Sequence, residues 1–219
     1  MLGLIPVDPS FGDLPGTLSL FVKGATIRDN SMRIGALLLA AGFSNRFGGI
    51  KLLARLDNGS TIFAQTLNRL SAAVEDVVII TRPDLVSALE ANESQIQSFD
   101  HADQGMGASL AFGMKFTSNW DACIVCLSDM PFVRTATYSL LINSADKDRI
   151  VVPEFEGIRG NPVVFGCKHF ESLAGLQGDS GGKSLLAHHP QDLMPIKVTD
   201  PAVLMDIDTP ADLAELQSV

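Results

Sequence analysis

The chain has 219 residues, which is enough for one α/β domain with a sizeable core or for two small domains. Its hydrophobic fraction of 46% and charged fraction of 19% are typical of a soluble globular protein, and no apolar run reaches the length of a membrane span. Because the formal net charge is -9, we expect no nucleic acid partner, since such a partner requires a basic surface.

Residues 1–31 differ from the rest of the chain, because they contain Pro6, Pro9, Pro15 and four glycines and show no sustained hydrophobic period. We interpret them as an N-terminal extension of unknown role, without the basic and apolar regions of a secretory signal. Residues 32–219 contain no evident linker, so we predict that they form one domain.

Beyond the extension, apolar runs typical of strands alternate with longer segments of helical periodicity. We predict strands at 34–40, 76–81, 96–99, 121–128, 149–153, 161–165 and 194–198. We predict helices at 61–73, 83–92, 107–117, 134–144, 167–175, 181–188 and 210–217. This alternation predicts a mainly parallel sheet with right-handed crossovers, whose ligands lie beyond the carboxyl ends of the strands.

The first predicted strand opens into a Gly-rich loop, Leu39–Lys51, with the sequence Leu-Ala-Ala-Gly-Phe-Ser-Asn-Arg-Phe-Gly-Gly-Ile-Lys. Such a turn can present several backbone N–H groups to one anion. Arg46 and Lys51 add positive charge to a loop without acidic residues, so the loop suits a triphosphate. It has neither the P-loop spacing nor that of a dinucleotide-binding fingerprint.

A second Gly-rich turn, Gln104–Leu110, leads into a predicted helix. Gly105 and Gly107 permit close approach of the backbone to a ligand. Ser109 can cap the helix or donate a hydrogen bond to that ligand.

The predicted strand 121–128 contains Cys123 and Cys126 in a C-x-x-C spacing. Residues three apart on a strand point to opposite faces, so we expect two core residues rather than a metal or redox pair. An odd count of three cysteines does not indicate a disulfide framework, and a reducing cytoplasmic location fits.

Acidic residues follow this strand and precede the last predicted helix. Asp129 stands at the carboxyl end of the strand, where one or two carboxylates can hold Mg²⁺ together with phosphate oxygens. Asp206 and Asp208 are two residues apart and point the same way in an extended segment. Thr209 and Pro210 begin the helix as N-cap and first helical residue.

Together these motifs resemble those of nucleotidyltransferases of the molybdenum cofactor type, and the resemblance extends from Met32 to Leu216. The loop Leu39–Lys51 fits that family's L-x-x-G-x-x-x-R-[MF]-G-x-x-K signature, and Asp129 stands in its D-M-P motif. Leu-Ala-Ala-Gly, instead of the family's L-A-G-G, is similar to the cytidylyltransferase branch. Asn161 replaces a family His and Lys183 a family Arg, which leaves the acceptor open.

The resemblance implies a three-layer α/β/α sandwich with a mixed, mainly parallel sheet of the nucleotidyltransferase (Rossmann-like) type. It implies transfer of CMP from CTP to a molybdopterin-type cofactor, with release of pyrophosphate, for a molybdenum hydroxylase apoenzyme. It implies catalytic roles for Arg46, Lys51 and Asp129. It also implies that Asp129 and Asp208, in preference to Asp206, bind Mg²⁺ or Mn²⁺. The implied nucleotide-binding residues are Leu39, Ala40, Ala41, Gly42, Arg46, Lys51, Gly105, Gly107 and Ser109, and the implied acceptor-binding residues are Arg159, Asn161, Asp179 and Lys183.

Two other functions fit the same residues. A transferase of this fold could use another phosphorylated acceptor, such as a sugar phosphate. A chaperone could instead bind the finished dinucleotide cofactor and insert it into a molybdenum hydroxylase. An oxidoreductase would require a dinucleotide fingerprint, which the sequence lacks.

Overall fold

The computed structural model describes residues 32–179 and 181–217, so the extension predicted at residues 1–31 lies outside the described residues. The described strands are β1 (Ile34–Ala40), β2 (Val77–Thr81), β3 (Ile96–Ser98), β4 (Ala122–Leu127), β5 (Ile150–Phe155), β6 (Ile158–Arg159), β7 (Val163–Gly166) and β8 (Leu193–Lys197). The described α-helices are α1 (Ile62–Ser71), α2 (Met106–Gly113), α3 (Thr135–Asn143), α4 (Phe170–Ala174), α5 (Lys183–His188) and α6 (Pro210–Gln217).

The described strands form one mixed sheet. Strands β3, β2, β1 and β4 are adjacent in that order and parallel. Strand β7 then pairs antiparallel with β4 and with β5, while β8 pairs parallel with β5. The predicted mixed, mainly parallel sheet is therefore confirmed, and β1 and β4 end side by side at one edge.

Helices cover both faces of this sheet, which confirms the three-layer sandwich. Along β1, Ala36 and Leu38 face the core that contains residues of α1, α3 and α6, while Leu37 and Leu39 face the core formed with α2, α4 and α5. This alternation follows from the two-residue period of a strand that is buried on both faces.

The cysteines of β4 follow the same period. Cys123 lies in one core and Cys126 in the other, and both are free thiols. The prediction that they point to opposite faces is confirmed. Burial raises the pKa of both thiols above the ordinary value.

A tight contact fixes the start of β1 against Trp120, which stands two residues before β4. A Cβ atom at Gly35 would overlap the indole ring of Trp120, which is itself buried. Glycine is therefore required at this position by space, because the indole fills the volume that any other side chain would need.

Two local predictions were wrong. Residues 83–92 form a short 3-10 helix, Pro83–Leu85, followed by turns, instead of an α-helix. Leu85 and Leu89 are buried, and the N–H of Leu89 donates to the Leu85 carbonyl at 3.1 Å. A single turn of the chain is thus enough to bury both leucines.

The second difference concerns the segment that precedes β7. Strand β6 was not predicted, and the strand predicted at 161–165 begins later, at Val163. Glu156 and Gly157 both have positive φ angles, of 50° and 82°, as a two-residue hairpin turn between β5 and β6 requires. Arg159 therefore lies on a strand.

Within the described ranges, 32–179 and 181–217, no helix combines the length and apolar character needed to cross a bilayer.

Candidate active site

The structure brings four of the predicted site residues into one ionic network at the edge where β1 and β4 end. Lys51 Nζ lies 2.8 Å from Asp129 Oδ2 and 3.3 Å from Asp208 Oδ1. Arg46 Nη2 lies 2.7 Å from Asp208 Oδ2. The side chain of Lys51 is 9% exposed and that of Arg46 is 73% exposed, so the network extends from the interior to the surface.

A backbone contact holds Asp208 beside Asp129. The N–H of Ile207 donates to the carbonyl oxygen of Asp129 at 3.0 Å, and the Ile207 side chain is fully buried. Because side chains alternate along an extended segment, Asp206 and Asp208 point away from the core and toward the site. The prediction that these two acids share one direction agrees with this geometry.

The beginning of α6 fixes the same segment from the other side. The carboxylate of Asp212 accepts hydrogen bonds from the N–H groups of Asp208 and Thr209 at 2.9 and 2.7 Å, and Thr209 Oγ1 accepts one from the N–H of Asp212 at 3.2 Å. This is a reciprocal cap, with Pro210 as the first helical residue. The backbone donors hold the pKa of Asp212 below its usual value, so this acid serves the helix end.

Asp129 is the most buried of the acidic groups at this site. Burial raises its pKa, the Lys51 ammonium opposes that rise, and the negative charge of Asp206 adds to it. Asp129 Oδ1 is buried and finds no hydrogen-bond partner among the described residues. Such an orphaned oxygen indicates a ligand position.

The three carboxylates at this edge suit a divalent cation. One oxygen each of Asp129, Asp206 and Asp208 lies within 4.8 Å of the others. Mg²⁺ and Mn²⁺ prefer oxygen donors and are typically held by one or two carboxylates plus substrate phosphates. The orphaned Oδ1 of Asp129 and its neighbours therefore fit such an ion, and both members of the Asp206 and Asp208 pair are within reach.

A cavity of about 280 Å³, here called the first cavity, opens beside this network. Asp129 and Lys51 form part of its wall, and Leu127 and Met106 contribute apolar surface. Of the residues predicted to bind nucleotide, those that line it are Leu39, Ala41, Gly42, Lys51, Gly105 and Ser109.

Three of the residues predicted to bind nucleotide lie outside the lining of the first cavity. The carbonyl of Ala40 accepts a hydrogen bond from Thr81 Oγ1 at 3.0 Å inside the sheet. The N–H of Gly107 donates to the carbonyl of Gly178 at 2.8 Å. Arg46 lies on the exposed side of Asp208.

Gly105 connects the start of α2 to the loop that contains Asp179. Its φ angle is +103°, and a Cβ atom there would lie 2.7 Å from the Gly178 carbonyl oxygen and overlap Asp179 Oδ1. Asp179, which the resemblance assigns to the acceptor, lines the first cavity beside Gly105. The hydrogen bond between the N–H of Gly107 and the carbonyl of Gly178 holds this loop against α2.

The other three residues predicted to bind the acceptor line a second cavity of about 170 Å³. Arg159, Asn161 and Lys183 surround an otherwise largely apolar wall. The two cavities are neighbours, because both are lined by Leu39, Met106 and Leu127.

Sequence reasoning missed one cation near the Gly-rich loop. Arg82 is 9% exposed and donates from Nη1 to the Gly42 carbonyl at 3.3 Å, and its guanidinium lies 4.6 Å from the centre of the Phe43 ring. The available signal was its position directly after β2, at the same edge as the ends of β1 and β4. Arg82 thus supports the loop that lines the first cavity.

The fold and this site together define a nucleotidyltransferase-like α/β protein, and comparison with known proteins agrees. Residues 36–193 match the MobA-like NTP transferase domain family, and the chain belongs to this family.

Individual relatives are distant. The chain is 27% identical to the probable molybdenum cofactor guanylyltransferase of Geobacillus sp. (strain WCH70), over 84% of this chain and 98% of that protein. It is also 27% identical to the purine catabolism protein PucB of Bacillus subtilis (strain 168), over 80% of this chain and 92% of that protein.

The crystal structure of Rv0371c from Mycobacterium tuberculosis H37Rv superimposes with a TM-score of 0.76 and 25% identity, over 86% of this chain and 99% of that one. That mycobacterial protein has also been solved in complex with manganese.

Proposed function

We propose that this protein transfers CMP from CTP to a molybdopterin-type molybdenum cofactor and releases pyrophosphate. The observation that carries the proposal is the joining of Lys51 and Arg46 to Asp129 and Asp208 beside the first cavity. Membership of the MobA-like NTP transferase domain family supports nucleotidyl transfer. The name of the Geobacillus relative, a probable molybdenum cofactor guanylyltransferase, supports the acceptor.

Asp129 and Asp208 would hold Mg²⁺ or Mn²⁺ in this reaction, and the manganese complex of the mycobacterial protein supports that assignment. When bound, such an ion neutralises negative charge on phosphate oxygens. Asp206 lies close enough to Asp129 to add a further oxygen. Asp129 is the principal ligand in this proposal because its Oδ1 is buried and without a protein partner among the described residues.

The chain's own groups would act by positioning and charge neutralisation, so no protein nucleophile is required. A terminal phosphate oxygen of the acceptor attacks the α-phosphorus of CTP, a new P–O bond forms, and the bond to the bridging oxygen breaks. Lys51, Arg46 and the N–H groups of the Gly-rich loop would stabilise the negative charge on the departing pyrophosphate. Gly42 lines the first cavity and lies within that loop.

The choice of cytosine rests on the Leu-Ala-Ala-Gly motif, in which Ala41 lines the first cavity and is 6% exposed. Guanine is the second candidate, since the Geobacillus relative bears the name of a guanylyltransferase. The two bases differ in size and in their hydrogen-bonding edges, so direct competition between the triphosphates distinguishes them.

The second cavity is the proposed acceptor site. Its apolar wall, which includes Phe165 and Leu186, suits a flat ring system, and Arg159 and Lys183 suit a phosphate at the rim. A sugar phosphate would present hydroxyl groups to that wall and is the less suitable acceptor. Delivery of the product to a molybdenum hydroxylase apoenzyme is compatible with transfer, so insertion of the cofactor remains a second role of the same proposal.

We place the reaction in the cytoplasm. The free thiols of Cys123, Cys126 and Cys167 support this location, because proteins of oxidising compartments typically pair their cysteines.

The deciding experiment measures pyrophosphate release from CTP, GTP, ATP and UTP, with and without molybdopterin, and with glucose 1-phosphate as a competing acceptor. We expect release that requires both CTP and molybdopterin. Asp129→Asn preserves size but removes the ligand charge, so it should abolish metal-dependent turnover. A preference for GTP would show that the transferred nucleotide is GMP and not CMP. Turnover with the sugar phosphate alone would contradict the proposal that molybdopterin is the acceptor.

A further inference from the structure

A second cluster of metal-ligating side chains lies away from the site described above. It consists of His169, His189 and Asp192, and one donor atom of each lies within 4.8 Å of the others. The N–H of Cys167 donates to the carbonyl of Asp121, just before β4. The cluster therefore lies toward the beginning of β4, at the edge of the sheet opposite Asp129.

The fold assembles this cluster from two separate segments. His169 belongs to a 3-10 turn, Cys167–His169, directly after β7, and is 1% exposed. His189 follows α5, and Asp192 ends the next 3-10 turn, Pro190–Asp192. The two imidazole rings are edge to face, with their centres 5.1 Å apart.

The distances from the Asp192 carboxylate to the two histidine nitrogens are close to the distances between ligand atoms of one bound metal ion. Asp192 Oδ2 lies 3.7 Å from His169 Nε2 and 3.8 Å from His189 Nδ1. Two ligands bound to one tetrahedral Zn²⁺ are about 3.3 Å apart, given bonds of about 2.0–2.1 Å. These two distances would therefore have to shorten by roughly half an ångström for the three side chains to bind one ion.

Charge in the cluster is balanced at present by an exposed lysine. Lys168 Nζ lies 3.1 Å from both carboxylate oxygens of Asp192, and its side chain is 48% exposed. The carbonyl of Asp148 lies 3.2 Å from His169 Nε2 and can only accept a hydrogen bond, so Nε2 carries the ring proton in the metal-free protein. A metal ion at Nε2 therefore requires the other tautomer, with the proton on Nδ1.

We propose that His169, His189 and Asp192 form a second cation site, selective for a transition-metal ion of the Zn²⁺ type, in which the metal displaces the Lys168 ammonium from Asp192. Two imidazoles and one carboxylate select such an ion, whereas the all-oxygen set at Asp129 selects Mg²⁺ or Mn²⁺. A bound ion would link the segment that follows α5 to the turn that follows β7.

The test uses untagged, chelator-treated protein in excess Mg²⁺, which occupies the oxygen site. Zn²⁺ binding is measured by titration calorimetry, and Co²⁺ binding by its visible absorption. We expect one equivalent to bind and to raise the melting temperature. His189→Ala, at a half-buried position, should weaken binding by roughly tenfold or more, while the exposed control His188→Ala should not. Asp129→Asn should retain this binding.

Lys168→Met removes the competing ammonium and keeps the aliphatic stem. It should increase Zn²⁺ affinity, a gain that a purely structural cluster would not show. Absence of a bound equivalent in the wild-type protein would overturn the proposal, as would equal losses in His188→Ala and His189→Ala.

Discussion

Lys51 lies between the two carboxylates that are proposed to hold a metal ion. Its ammonium contacts both Asp129 and Asp208, so each carboxylate proposed to hold a metal is already paired with a cation of the protein. A triphosphate would attract Lys51 and Arg46 and leave the carboxylates to the metal. Nucleotide and metal should therefore bind with positive coupling, in which each increases the affinity for the other.

Replacement of Lys51 separates its two roles. Lys51→Met should increase the affinity for Mn²⁺ in the absence of nucleotide, because the competing ammonium is gone. It should also lower turnover by about a hundredfold, or roughly 3 kcal/mol, through loss of a cation at the departing pyrophosphate. Free Mn²⁺ is measured by electron paramagnetic resonance and turnover by pyrophosphate release.

The matched control for this prediction is Lys197→Met, which removes an exposed lysine at the end of β8. It should leave both measurements unchanged. Wild-type metal affinity together with normal turnover in Lys51→Met would show that Lys51 has neither role.

At the scale of the elements, the start of α2 and the loop at Gly178 form one wall of the first cavity. Gly105→Ala should displace this loop, because its Cβ would overlap Asp179 and because a positive φ strains any side chain. We expect a marked rise in KM for the nucleoside triphosphate, measured by steady-state kinetics.

Gly59→Ala is the control for backbone strain alone. Gly59 also has a positive φ, of +83°, but a Cβ atom there would meet no atom within 4 Å. It should lower the melting temperature and leave KM unchanged. Equal KM values in the two variants would contradict a role for the Gly105 contact in shaping the cavity.

Asp121, directly before β4, should contribute to the stability of the fold in a pH-dependent way. Asp121 accepts hydrogen bonds from Lys147 Nζ at 2.8 Å and from the N–H of Arg33 at 3.0 Å. These donors, the lysine first, hold the pKa of Asp121 below its ordinary value of 3.8. The stabilisation is therefore fully present above pH 3.8 and is lost as the pH falls through the lower, folded-state pKa.

Asp121→Asn should accordingly lower the melting temperature at neutral pH, with a difference from wild type that shrinks in acid. Calorimetric scans across the acidic range measure this difference. Glu90→Gln, at an exposed position, is the control and should show a small difference that varies little with pH. A constant deficit for Asp121→Asn at every pH would rule out an origin in ionisation.

The elements that the sequence predicted well are those whose pattern is set by burial on both sides of the sheet. The prediction at 34–40 coincides with β1, and the predicted start of α6 at residue 210 is also observed. The failures at 83–92 and at β6 have a different cause. There, a buried turn and a hairpin of positive φ angles determine the structure, and neither produces a periodic pattern.

At the scale of the whole molecule, the candidate site is assembled from segments far apart in the chain. Lys51 and Asp208 are 157 positions apart, yet they lie in hydrogen-bonding contact. The positions of the motifs after two predicted strands indicated that Lys51 and Asp129 face one site, whereas the place of Asp208 there was implied only by the family resemblance. The pairing of the cations with the acids was not predictable, because it depends on the backbone hydrogen bond between Ile207 and Asp129.

The two cavities also connect distant parts of the chain, and Met106 lines both. Met106→Ala should therefore raise KM for the nucleotide and for the acceptor together, as measured by varying each substrate in turn. Leu140→Ala, which removes a similarly exposed apolar side chain from α3, should affect neither. An effect on one substrate alone would show that the cavities act independently.

The contact between Trp120 and Gly35 makes Trp120 an intrinsic fluorescent probe of the start of β1. The sequence contains a single tryptophan, and its indole is buried against the start of β1. Intrinsic fluorescence excited at the indole thus originates at one point of the central sheet. A red shift of that emission marks exposure of this core to water, so the unfolding of every variant described above can be followed without an added dye.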